Sequence, residues 1–324
     1  MNYLLVDVMN LMWRAAHVTR GDNYTRTGLA AHILLNSLPS CAKKFNIDHV
    51  VFAYDGRSWR KSYDTRYKLN RKITEMAKTE TDQEFTKMLF DMQADLRNFL
   101  EQSTNSTVLF NDILEADDLI SGWIKHHPND NHVILSSDSD FQQLLANNVS
   151  IYNGIDKTTT TLTSIVDEKG KPKVDKKGNI VVPDDPEYYL FEKIVRGDTS
   201  DNIRPSYPGV RKQGSKNKVG IVEAFMDRHH KGYAWNTFMN STWTDEYGVD
   251  QKVQDHFIHN TLLIDLNAQP DHIQDTISNT INNVEAKSVP QIGIKFIKFC
   301  GKYQLVTLAQ NSKPVVDMLA KSKK

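Results

Sequence analysis

Apolar and polar positions along the chain fall into two alternating kinds of segment. Short apolar runs stand at Tyr3-Leu-Leu-Val, His49-Val-Val-Phe-Ala, Thr107-Val-Leu-Phe, His132-Val-Ile-Leu and Val149-Ser-Ile-Tyr. Their length and continuity predict strands covered on both faces. Between them, apolar residues recur every three or four positions. Asn10 through Arg14 reads as a helix. So does Leu29 to Phe45, with apolar spacing at Ile33, Leu34 and Leu38 and with Pro39 marking a kink or break. Phe85, Met88, Leu89, Met92, Leu96, Phe99 and Leu100 predict a long amphipathic helix, and Ala116 to His126 and Phe141 to Leu145 two more. This alternation predicts an α/β fold: a central, mainly parallel sheet flanked by helices.

Two polar stretches interrupt the pattern. Residues 57–82 are basic and read as a helical excursion away from the sheet. Residues 166–186 are rich in Lys, Asp, Gly and Pro and read as an exposed hairpin or loop, a solvated surface and a domain boundary. Beyond it the pattern is helical to the end, broken at 204–218. The expected division is therefore a core over residues 1–185 and a helical C-terminal domain over 186–324.

Composition narrows the class only slightly. The 324 residues are 39% hydrophobic and 25% charged. No apolar run reaches the roughly 18 residues of a membrane span, and the N-terminus lacks the pattern of a signal peptide. Cys41 and Cys300 form neither a disulfide framework nor a metal-ligand spacing. The expectation is a cytoplasmic protein with reduced thiols.

Charge is more informative in its distribution than in its total. The formal net charge is +0. Yet residues 57–72 hold seven cations (Arg57, Arg60, Lys61, Arg66, Lys68, Arg71, Lys72) against one acid, Asp64. Residues 204–218 hold Arg204, Arg211, Lys212, Lys216 and Lys218 and no acid. Such blocks suit phosphate backbones. The first interleaves its cations with Trp59 and Tyr67, which suits a stacked base as well. Lys68 and Arg71, three apart, would share a helix face. In the second block, a Gly-containing loop before a helix could offer backbone N–H groups to a phosphate.

The acids gather where the strands end. Asp7 and Asp55 follow apolar strands directly. Glu115-Ala-Asp117-Asp118 opens a helix, Asp138-Ser-Asp140 follows the fourth strand, and Asp198 and Asp201 stand three apart after Gly197. A single Asp at such a place is commonly a helix cap. Capping does not require carboxylates at all five places, since Ser, Thr and Asn serve as well. Three acids at one helix start repel each other unless a cation lies among them. With no His or Cys in the set, the ion would be Mg²⁺, with Mn²⁺ able to substitute. Two such ions could activate a water and stabilise the leaving oxygen of a phosphodiester.

In order along the chain, Val6-Asp7-Val-Met-Asn-Leu-Met-Trp-Arg14, Ala53-Tyr-Asp55-Gly56, Tyr67-Lys68-Leu-Asn-Arg71, Glu115-Ala-Asp117-Asp118, Ser136-Ser-Asp138-Ser-Asp140-Phe and Gly197-Asp198-Thr-Ser-Asp201-Asn-Ile resemble the 5′ nuclease (flap endonuclease) superfamily. The likeness covers about residues 3–230 and runs toward the bacteriophage ribonuclease H branch. It implies a PIN-like core, a helical arch over about 57–82 and a C-terminal helical, duplex-binding domain with a helix–hairpin–helix-like element. It implies a Mg²⁺-dependent 5′→3′ nuclease that removes RNA primers and DNA flaps during phage DNA replication. Asp7, Asp55, Glu115, Asp117, Asp138 and Asp140 would hold or shape a first metal site, and Asp118, Asp198 and Asp201 a second. Lys68 and Arg71 would steer the scissile phosphate, beside Asp138 as catalytic groups. Arg14, Arg57, Arg60, Lys61, Arg66, Tyr67, Lys72, Arg211, Lys212, Lys216 and Lys218 would contact nucleic acid. The family's Gly-Val-x-Gly-Ile-Gly-x-Lys hairpin has only Pro208-Gly-Val-Arg-Lys as an echo, a departure that leaves open both the duplex-clamping geometry and a K⁺ site there.

DNA and RNA–DNA duplexes with 5′ ends or flaps are the implied substrates of a monomer, with a single-stranded-DNA-binding protein as a partner. Two other classes compete with this reading. A structure-specific nucleic-acid binder without catalysis gains nothing from nine carboxylates. A PIN-type ribonuclease uses similar strand-end acids but lacks the Lys68/Arg71 segment and the long C-terminal half.

Overall fold

The structure, a computed structural model, describes residues 1–323. It divides into two compact units. The first comprises residues 1–58, 77–183 and 274 onward; the second comprises Trp59–Met76 and Asp184–Ile273.

The first unit is built on a seven-stranded sheet. Five strands are parallel: β1 (Asn2–Asp7), β2 (His49–Ala53), β3 (Thr107–Leu109), β4 (Asn131–Leu135) and β5 (Val149–Asn153). Two antiparallel strands, β6 (Thr158–Thr160) and β7 (Ile165–Val166), follow β5 at one edge, giving the order β3-β2-β1-β4-β5-β6-β7. β1 is central, with Leu4 opposite both Val50 and Val133. Every residue of β2 is buried, as continuous apolar runs require. Chain direction in the sheet reverses at β1: the path runs outward through β2 and β3, then returns to the other side of β1 as β4. Open α/β sheets bind ligands at such a switch point, beyond the carboxyl ends of the strands.

Helices α1 (Val8–Val18) and α2 (Asn23–Phe45) follow β1. Asp22 caps α2 through the amide of Thr25 at 2.8 Å. Pro39 neither breaks nor ends this helix: Leu34, Leu35, Leu38 and Cys41 form one buried stripe across it, and packing outweighs the lost hydrogen bond. Ile33, read as part of the apolar face, lies off that stripe and is exposed. The unit also holds α5 (Glu80–Ser103) and α6 (Ala116–His126). The segment expected as a helix at 141–145 is a 3-10 turn, Ser139–Leu144. It is too short for an α-helix before Leu145 turns into β5.

The second unit contains the short helices α3 (Arg60–Tyr63) and α4 (Leu69–Met76), then α7 (Pro186–Arg196), α8 (Ile221–Met226), α9 (Tyr233–Met239) and α10 (Val253–Ile264). Its core gathers Phe191, Val195, Ile221, Phe225, Phe238 and Val253. It is not wholly helical as the sequence suggested. Strands β8 (Thr242–Thr244) and β9 (Asp250–Lys252) form a hairpin. Its turn is fixed by Asp245, whose carboxylate accepts the amides of Tyr247 and Val249, and by Gly248 at φ 79°.

The chain is not cut once after residue 185. The compact units change over after residues 58, 76, 183 and 273, the last of these in the first turn of α11 (Asp271–Asn282). From there the chain belongs to the first unit. α12 (Ile292–Lys302) and α14 (Lys313–Leu319), joined by the short α13 (Val306–Gln310), insert Phe296, Phe299, Val315 and Leu319 into the cluster that holds Leu34, Leu96 and Phe99. Phe99 stacks on Phe299 with ring centroids 4.7 Å apart. Removing the fully buried Phe296 side chain should therefore weaken the sheet unit itself. Phe296→Ala is expected to cost about 3–5 kcal/mol, read as a lower urea midpoint with unchanged slope. A stability within error of the parent would show that these helices are dispensable to it.

Candidate metal centre

Three contiguous parallel strands deliver the acids of the first unit. Asp7 ends β1, Asp55 lies two residues past β2, and Asp138 lies three residues past β4. Asp7 is buried and caps α1. One of its oxygens accepts the Asn10 amide at 3.2 Å, and the other accepts the Ser136 hydroxyl at 2.9 Å. Asp55 accepts the amide of Ala116 at 2.8 Å, tying the end of β2 to the start of α6. Glu115, also buried, accepts the Ser58 hydroxyl at 2.8 Å, and its own amide donates to Asp118 at 3.1 Å. Asp118 is fully buried, and Asp117 accepts its amide at 2.8 Å. Asp138 is exposed and accepts the amide of Asp140 at 3.0 Å.

The electrostatics of this group are unfavourable without a cation. Burial, then the negative charge of Asp55 and further that of Asp138, raises the Asp7 carboxyl well above the usual carboxylate range. The hydrogen bonds from Asn10 and Ser136 oppose that rise without cancelling it. Among the described residues no three His, Cys, Asp or Glu side chains are already gathered as a metal site. Here the carboxylates are held instead by amides and hydroxyls. The donor set is all oxygen, and the crowding around Asp7 is the kind that a hard divalent ion relieves.

Sequence reasoning gave no role to four residues that position these acids. Ser136 donates to Asp7 and accepts the amide of Asp138 at 3.0 Å. Asn10 accepts the Ser137 hydroxyl at 2.7 Å and its amide at 3.1 Å, locking the loop after β4 to α1. Ser58, at φ 67°, holds Glu115. All but Ser58 stand inside the quoted motifs, so the signal was present but not assigned.

In the second unit, the acids expected at a second metal are paired with cations. Asp198 meets Lys193 at 2.8 Å and accepts the amide and hydroxyl of Ser200, both at 2.7 Å. Burial would raise its carboxyl, but Lys193 and Ser200 hold it down at about 2. Asp201 bonds Arg71, accepts the Tyr67 hydroxyl at 3.0 Å and lies 3.6 Å from the Lys68 ammonium. Its carbonyl accepts the Lys68 amide at 2.8 Å, with Lys68 in the left-handed region at φ 56°. Asn70 donates to the carbonyls of Thr199 and Ser200 at 3.0 and 3.2 Å. Lys68 and Arg71 thus meet the 198–202 turn. Asp118, grouped with Asp198 and Asp201 by motif, belongs to the other unit.

Several expected nucleic-acid contacts require correction. Arg60 is 1% exposed and donates to the Leu263 carbonyl at 2.8 Å, and Tyr67 is buried in a small apolar cluster. Neither presents a surface to a nucleic acid here, because the local basic run folds its second turn inward. Within the 204–218 loop the Gly214 amide is already taken by Glu223 at 2.9 Å, and those of Ser215 and Lys218 by each other's carbonyls; Glu223 also accepts the Gly220 amide at 3.0 Å. Arg14, Arg57, Lys61, Arg66, Lys72, Arg211, Lys212, Lys216 and Lys218 are exposed.

Comparison with known proteins defines the class. Residues 2–173 match the family model of the 5′-3′ exonuclease, N-terminal resolvase-like domain, and the chain belongs to that family of nucleases. Among its relatives, the flap endonuclease of Escherichia phage T5 is 26% identical over 228 residues, covering 69% of this chain and 70% of the relative. The ribonuclease H of Enterobacteria phage T4 is 24% identical over 287 residues, covering 83% and 82%. A crystal structure of the phage T5 flap endonuclease, in a pseudo-enzyme–product complex with DNA and metal ions, shares the fold. Its TM-score is 0.59 at 20% identity, covering 87% of this chain and 98% of that one.

Gly56 fixes where Asp55 can stand. Its amide donates to the Leu114 carbonyl at 2.7 Å, and a Cβ there would lie 2.2 Å from the Asn111 carbonyl oxygen. Gly56→Ala is expected to destabilise the protein by about 1–3 kcal/mol, measured as a lowered urea midpoint. An unchanged midpoint would mean that the loop after β2 yields freely.

Proposed function

We propose that this protein is a Mg²⁺-dependent 5′→3′ nuclease that removes RNA primers and DNA flaps from duplexes during DNA replication. The observation that carries the reading is the crowding of Asp7 by Asp55 and Asp138 at the switch point of the sheet. The names of the phage relatives, a flap endonuclease and a ribonuclease H, support the substrate class. The T5 enzyme's complex with DNA and metal ions supports a divalent ion.

Asp7, Asp55 and Asp138 would hold the ion, with Glu115, Asp117 and Asp140 shaping its surroundings through the α6 start and the 3-10 turn. A bound Mg²⁺ supplies charge for the scissile phosphate and an acidified water as nucleophile. The protein's own part is positional. Ser136 orients Asp7 and restrains the Asp138 backbone, and Ser58 fixes Glu115. In the second unit, Lys68 and Arg71 are suited to take phosphate charge, and for that they must leave Asp201. Asp198 and Asp201 would serve a second ion only after giving up Lys193, Lys68 and Arg71.

A 5′-labelled flap and an RNA–DNA hybrid, each incubated with Mg²⁺ or EDTA, test the reading. Release of short 5′ products only with Mg²⁺ is expected. No cleavage would favour a binding protein, and cleavage of free single-stranded RNA alone a PIN-type ribonuclease. Asp138→Asn should lower cleavage by about a hundredfold or more while substrate binding is kept. Full activity of that variant at saturating Mg²⁺ would remove Asp138 from the reaction. Lys68→Ala should lower turnover more than affinity in single-turnover and anisotropy measurements. An unchanged rate would confine Lys68 to its contact with Asp201.

A further inference from the structure

Past β7 the chain makes two more antiparallel turns, each closed by a single bridge beyond the seven strands of the sheet. Val166 bridges Pro172, and Val174 bridges Ile180. At the first turn the Asp167 amide donates to the Lys171 carbonyl and the Lys173 amide to that of Ile165, both at 2.8 Å. At the second, the Asp175 amide donates to the Asn179 carbonyl at 2.9 Å and the Val181 amide to that of Lys173 at 2.8 Å. The turns are built alike. The Asp carboxylate accepts amides two and four residues on, and Gly170 (φ 76°) or Gly178 (φ 84°) follows. Of the hairpin or loop that composition predicts here, these are hairpins.

The hydrogen-bond pattern fixes what faces outward. Asn179 and Val181 direct their backbone groups inward, so those of Ile180 and Val182 point to the open edge. As an antiparallel pair, Val174 and Ile180 share a face, and Val182 follows Ile180 on it; between the two turns the backbone twists at Lys173, which donates to Ile165 and accepts from Val181. Val174, Ile180 and Val182 are 55%, 63% and 61% exposed. Open backbone groups at an edge can pair with a further strand, and lysines beside them disfavour uncharged or basic strands. Positive charge surrounds this edge. Lys173, Lys176 and Lys177 form no salt bridge among the described residues, while Lys169 and Lys171 help to hold the Asp167 carboxyl down. Asp167 and Asp175 also accept turn amides, and Glu168 meets Lys157 at 3.2 Å.

We propose that residues 172–182 are a docking edge for an extended acidic segment of a partner protein. The segment adds as a strand along Ile180 and Val182. Its alternate side chains cover the Val174, Ile180 and Val182 face, and its intervening carboxylates meet the surrounding lysines. A nucleic acid would match the lysines but neither the open backbone edge nor the apolar face. Most of the outer strand lies beyond the residues matched by the family model. None of its residues is among those proposed to act in catalysis.

The test uses the full chain and a fluorescein-labelled peptide of alternating valine and glutamate. A peptide of the same composition in two blocks and a single-stranded DNA serve as comparisons. Anisotropy should show the alternating peptide binding at least about tenfold more tightly than the block peptide. Hydrogen exchange at the Ile180 and Val182 amides should slow when it binds. Val182→Pro, which removes one outward N–H, should weaken peptide binding by about tenfold or more with thermal midpoint and flap cleavage unchanged. Ile180→Asp should do the same through the apolar face. No peptide binding, equal binding of the two peptides, or unchanged exchange would overturn the proposal. So would loss of DNA binding rather than peptide binding in Val182→Pro.

Discussion

Repulsion between one buried carboxylate and its acidic neighbours is the constraint around which the first unit is arranged. Asp7 is almost wholly removed from water beside Asp55 and Asp138, a placement that hydrophobic packing alone would reject. The fold tolerates it because each oxygen is answered by an amide or hydroxyl. Asn10 from α1 and Ser136 from just past β4 answer Asp7, and Ala116 from the start of α6 answers Asp55. Removing one donor disturbs two elements at once. The incomplete compensation leaves Asp7 hard to ionise, and a divalent ion answers that residual cost.

The second unit solves a similar problem with its own cations. Lys193 neutralises Asp198, and Arg71 with Lys68 neutralises Asp201. The contrast is chemical. Around Asp7 like charges face one another, whereas the 198–202 turn is already electrically satisfied. The same carboxylate motif therefore leads to two different local balances, one that lacks positive charge and one that contains it.

Much of this was legible in the sequence because the signals are local. Apolar runs ending in Asp located β1, β2 and β4, and the helical spacing from Phe85 to Leu100 located α5. The six ordered motifs named the family that residues 2–173 match. What stayed hidden depends on partners distant along the chain. Nothing in the spacing of Arg71 announces Asp201, 130 residues away. Arg60 sits in a run that reads as solvated, yet the Leu263 carbonyl draws it inside. Ser58 gives no sign that it serves Glu115. The helices after residue 274 read as a continuation of their neighbours because an apolar stripe does not say which core it fills.

The segmented make-up of the first unit has a consequence for biosynthesis. Its sheet and long helices are translated early, but Phe296, Phe299, Val315 and Leu319 follow only after residues 184–273. Until then the apolar surfaces of α2 and α5 lack the side chains that close their core. The nascent sheet must persist partly uncovered while residues 184–273 are made, the interval in which such surfaces associate wrongly. Synthesis through α14 thus becomes the step that seals the sheet unit, so a chain broken off before it would not reach a closed core.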